Sequence, residues 1–175
     1  MADHVLNAEP VMAVLTPYAM ARSAHHLFQM ARAYNAKADA TPIRLYVFCV
    51  SIEIGMKAAI LGEDCTEVNK QLIKGIGHDL VKLNAQFETT FQNKLLDEDD
   101  IDALTKINPY FRDKGLEYFT TPMLVSTLKG RSDFPETNAI EAVARKVQEF
   151  LETRDFFIEG KTTQLPSGEG IIQFI

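Results

Sequence analysis

The segment from Ile43 to Leu61 constrains the fold more than any other part of this chain. From Leu45 onward it is apolar apart from Ser51, Glu53 and Lys57. Leu45, Val47, Phe48, Val50, Ile52, Ile54, Met56 and Ile60 cannot share one face of a helix. A helix that is apolar nearly all round belongs at a centre, packed on several sides. The β-branched residues make a strand conceivable, but the length and the Met-Lys-Ala-Ala-Ile-Leu tail favour a helix over about Pro42 to Leu61. Pro42 suits its first turn, and Gly62 stands where a C-terminal cap is expected. With its polar interruptions, the run reads as too polar and too short for a membrane span.

The chain's 175 residues suit one domain with a sizeable core. A balance of 46% apolar to 24% charged residues argues against global disorder. The net charge of −6 argues against binding nucleic acid over the whole surface, which needs a basic field to displace counterions. A local basic patch stays compatible with it. The opening Met1-Ala2-Asp3-His4 lacks the basic start and apolar stretch of a signal peptide. Two cysteines, Cys49 and Cys65, make no disulfide framework and point to a reducing, cytoplasmic setting. No Cys/His spacing suits zinc, and no metal or cofactor is expected.

Other helices follow from apolar stripes. Glu9-Pro10 opens a first helix towards Lys37, with Pro17 as a kink or as its true start. Glu67 to Lys74 reads as a short helix, broken by Gly75-Ile76-Gly77. His78 then starts a helix whose inner stripe is Leu80, Leu83, Phe87 and Phe91. The acidic run Asp97 to Asp100 suits a helix N-terminus, and Asn108-Pro109 is expected to interrupt the helix that follows. Thr120 to Asn138 is the expected irregular stretch, and Glu136 to Arg154 the cleanest amphipathic helix. The fold class is therefore all-α, an up-and-down bundle of about five to six helices. Residues 1–160 form one domain, and residues 161–175 form a tail with a possible short hairpin.

Polar residues in this frame mark a candidate site. His78 falls off the stripe of its own helix and stands at a helix start, which favours a neutral ring able to accept a proton. It reads either as a turn histidine bonded to nearby backbone or as a candidate catalytic base. Asp79 suits capping, with ligand contact as the alternative. Glu53 and Lys57 are four apart in the favourable order. They read as an ion pair or as a polar lining beside His78, because a lone buried charge is costly. Lys70 and Lys74 could hold a phosphate-sized anion or simply form a solvated face. His25 and His26 point about 100° apart on a helix and make poor joint metal ligands. Tyr110, Arg112, Lys114 and Tyr118 interleave aromatic and basic residues, a pattern that suits a nucleic-acid strand or an ordinary packed helix.

Two pieces together, Ser51-Ile52-Glu53-Ile54-Gly55-Met56-Lys57-Ala58-Ala59 and Gly77-His78-Asp79-Leu80, resemble the core of the HEPN superfamily. The likeness covers about Ala19 to Phe119. It implies a helical up-and-down bundle, often a homodimer paired through the central helices. The family's nuclease branch implies a metal-independent site in which the RNA 2′-hydroxyl attacks the adjacent phosphorus, assisted by a histidine and an arginine that stands shortly before it. Of that motif only His78 carries over. Gln71, Leu72 and Ile73 occupy the window for the arginine, and lysine lacks its bidentate fork. The resemblance thus implies a non-catalytic binding or assembly module, with RNA, a nucleotide or a protein of a defence or toxin-antitoxin system as partner. Its alternatives are a divergent metal-independent ribonuclease using His78, with Lys74 or Lys70 in place of arginine, and a purely structural helical protein. Membrane association is not expected.

Overall fold

Thr16 caps the first helix: its side chain accepts a hydrogen bond from the Ala19 N–H, and Pro17 follows as the first helical residue. This start belongs to a computed structural model that describes residues 16–34, 41–116, 135–154 and 156. The described residues form six helices: α1 (Pro17–Ala33), α2 (Thr41–Glu63), α3 (Glu67–Ile76), α4 (Leu80–Phe91), α5 (Glu98–Arg112) and α6 (Thr137–Thr153). The all-α expectation holds. The expected start near Pro10 and the C-terminal tail lie outside the described residues, as does most of the expected irregular stretch.

Helix α2 is the centre. It packs most extensively on α1, then on α6 and α4. Phe48, Ile52, Met56 and Ile60 are fully buried, as are Leu83 of α4 and Ile140 and Val143 of α6. Each such side chain stabilises by roughly 1.5–3 kcal/mol relative to exposure. Close approach to α6 needs a small residue at Gly55, where a Cβ would lie 2.7 Å from Val147 Cγ1. Ser51 pins the same junction. Its hydroxyl donates to the Ala24 carbonyl at 2.8 Å and accepts from the Gln148 amide at 3.4 Å.

Several local expectations are corrected. Gly62 does not cap α2, which continues to Glu63. The Phe156 ring lies where a Gly62 Cβ would be, at 2.3 Å, so glycine here makes room for packing. Pro109 does not interrupt α5 but lies inside it. Proline removes one ladder bond, yet the last turn closes through the Asp113 N–H on the Pro109 carbonyl at 3.1 Å. Helix α4 begins at Leu80, not at His78, with Asp79 as its N-cap. By length and composition Pro42–Glu63 is also sufficient to cross a membrane, against the expectation from sequence. In the fold about two thirds of that window is buried inside the protein, as a core helix requires.

Candidate functional site

The site is built on the turn between α3 and α4. Gly77 ends α3 with φ 61° and ψ −125°, a conformation essentially reserved for glycine. The turn aims the Gly77 carbonyl at α2, where Lys57 Nζ donates to it at 2.7 Å. The same ammonium donates to Glu53 Oε1 at 2.5 Å. The other carboxylate oxygen, Oε2, lies 2.9 Å from His78 Nδ1. Glu53 is thus a buried charge with two partners, as a buried carboxylate must be. Its spacing of four from Lys57 on α2 aims both side chains at one turn.

The imidazole is held but not covered. The His78 side chain keeps 55% of its surface exposed, against 8% for Glu53. An ionised carboxylate only accepts hydrogen bonds, so Nδ1 carries the proton it shares with Glu53. In the neutral ring the lone pair then sits on Nε2. The Phe111 ring meets the imidazole nearly perpendicularly, with centroids 5.8 Å apart.

Asp79 and Asn108 fix the turn from the other side. Asp79 Oδ1 accepts from the Lys82 N–H at 3.1 Å, which caps α4. Asn108, on α5, donates to the same oxygen at 3.0 Å and accepts from the Leu80 N–H at 2.8 Å. Burial alone would raise the Asp79 carboxyl. The Lys82 N–H, the Asn108 amide and the charges of Lys82 and Arg112 outweigh it and hold the group below the usual carboxylate range.

Of the residues singled out from sequence, Glu53, Lys57, His78 and Asp79 meet at this turn. Lys70 does not join them. It pairs with Glu67 on the exposed side of α3, at 2.6 Å. Lys74 is exposed and makes no hydrogen bond or ion pair among the described residues. The His25 and His26 rings lie 6.5 Å apart, and no cluster of three or more His, Cys, Asp or Glu suited to a metal occurs among the described residues. Asn108 and Phe111 are the contributors that sequence reading passed over. Their signal was position: both continue the buried stripe of Leu104 and Ile107, and an amide on such a stripe must find partners.

This arrangement offers an imidazole oriented through Nδ1 and more than half exposed. A shallow depression lined by Tyr18, Gly62, Phe91, Arg154 and Phe156 lies at the far end of α2. Gly62 is roughly 13 Å beyond Glu53 along the helix. No protein-family model, curated protein or solved structure matches this chain.

Proposed function

We propose that this chain is a HEPN-like, non-catalytic binding module that works as a homodimer and takes a phosphate-bearing ligand, RNA or a nucleotide, at the His78 turn. The reading rests on the exposed imidazole held by a buried carboxylate. With Nδ1 held by Glu53, the exposed part of the ring is available to a ligand. Dimerisation draws support from α2. Among the partly exposed residues of this apolar helix, Ile43, Val47, Val50 and Ile54 follow one another at spacings of three and four. Sedimentation at micromolar concentration tests the dimer, and a clean monomer counts against it. Fluorescence anisotropy with a labelled oligoribonucleotide tests the ligand. Affinity should fall as salt rises and drop in His78→Ala.

One observation favours a second reading, a metal-independent ribonuclease. With Nδ1 engaged by Glu53, Nε2 is free to take a proton from a 2′-hydroxyl. That reading requires RNA cleavage in EDTA that is lost in His78→Ala while the fold survives. Absence of cleavage at high protein concentration counts heavily against it.

A further inference from the structure

We infer that Arg112 of α5, rather than any lysine of α3, is the residue that grips the ligand's phosphate beside His78. The inference rests on the phosphate-binding reading of the His78 turn. Its basis is the face that α5 turns towards that site. Asn108 reaches the start of α4 through two hydrogen bonds. Phe111, three residues on, lies against the His78 ring. Arg112, four residues after Asn108, is on the same side of the helix one turn further along. The Asp79 carboxyl is lowered in part by the Arg112 charge, which agrees with this placement. Lys82 stands near as well, its ammonium 3.7 Å from Asp79 Oδ2 and its side chain largely exposed.

Arg112 can change partners. Its present one, Asp113, is its neighbour in sequence, and both side chains are at least half exposed (50% and 63%). Pairs of this kind contribute little, so a phosphate could displace the carboxylate without strain on the fold. The guanidinium supplies parallel N–H donors matched to two phosphate oxygens, which an ammonium cannot. Lys70 lies on the exposed side of α3 and makes no bond to the turn. Lys74 lies on α3, outside the hydrogen-bonded cluster of the turn.

The test uses the full chain at low salt. A fluorescein-labelled single-stranded oligoribonucleotide is the probe, with ATP and inorganic phosphate as competitors. Arg112→Gln should weaken binding tenfold or more, and Arg112→Lys should fall between it and the parent. Lys70→Ala and Lys74→Ala should stay within twofold. Because Arg112 is exposed, the Gln variant should melt with the parent. Competition by ATP assigns the phosphate grip to a mononucleotide. Binding that ATP leaves untouched assigns it to the strand. If the parent binds the probe and Arg112→Gln binds it equally well, the inference fails and the binding reading stands. If the parent binds neither probe nor competitor, both fail.

Discussion

At the scale of single residues, Gly77 and Asn108 carry the turn that presents His78. Gly77→Ala introduces no clash, since nothing lies within 4 Å of a Cβ there. Its cost is conformational, because φ is +61°. We expect a loss of about 1–3 kcal/mol, measured by urea denaturation, and a weaker hold of Lys57 on the turn. Asn108→Ala strips the Leu80 N–H and the Asp79 carboxylate of a buried partner. A loss of roughly 1–3 kcal/mol is expected, and an unchanged denaturation midpoint would contradict the bridging role. Much of this was legible beforehand. Asp79 as a cap follows from its type and from the stripe after it. The pairing of Glu53 with Lys57 follows from their spacing. A polar lining beside His78 is one sequence reading of that pair, but the specific bond between Glu53 and His78 depends on the angle at which the turn returns to α2. The pair Asn108-Pro109 resembles a break in sequence, which masks the part Asn108 plays in the site.

Among the helices, α2 meets α6 closely at Gly55. Gly55→Ala would place a Cβ against Val147 and near Leu151. Overpacking of this sort costs about 1–3 kcal/mol, so calorimetry should show a clearly lower melting temperature. Helices α5 and α6 are tied by charge. The α5 capping box joins Asp97 and Asp100, and Lys146 of α6 bonds to both carboxylates. The Asp97 carboxyl is held down to about 2, first by the Lys146 hydrogen bond and then by the Asp100 N–H. A carboxyl that is more acidic in the fold stabilises it above its ordinary range near 4. That contribution drains away as pH falls from about 4 towards 2. Lys146→Ala should therefore flatten the acid limb of a stability–pH curve, and an unaltered limb would argue against the tie. The stripes of α1, α4 and α6 were readable because 3.6-residue periodicity survives in them. The end of α2 was not. Gly62 resembles a stop locally, and the Phe156 ring that explains it comes from the far end of the chain.

For the whole molecule, the two thiols provide a gauge of how firmly the bundle stays closed. Cys49 is fully buried and Cys65 exposed. Burial, and secondarily the Glu53 charge, push the Cys49 thiol far above its ordinary range. A thiol reagent should titrate one cysteine in the native protein and the second only on opening of the core. Prompt reaction of both would show that α2 is not held as described. The contact between Phe111 and His78 has a spectroscopic consequence. An aromatic ring close to an imidazole displaces the resonances of its carbon-bound protons. The chain has only four histidines, so the His78 signals should stand apart in a proton spectrum. Their response to pH, salt or an added oligonucleotide can then be followed without any label, and the turn reports on its own occupancy.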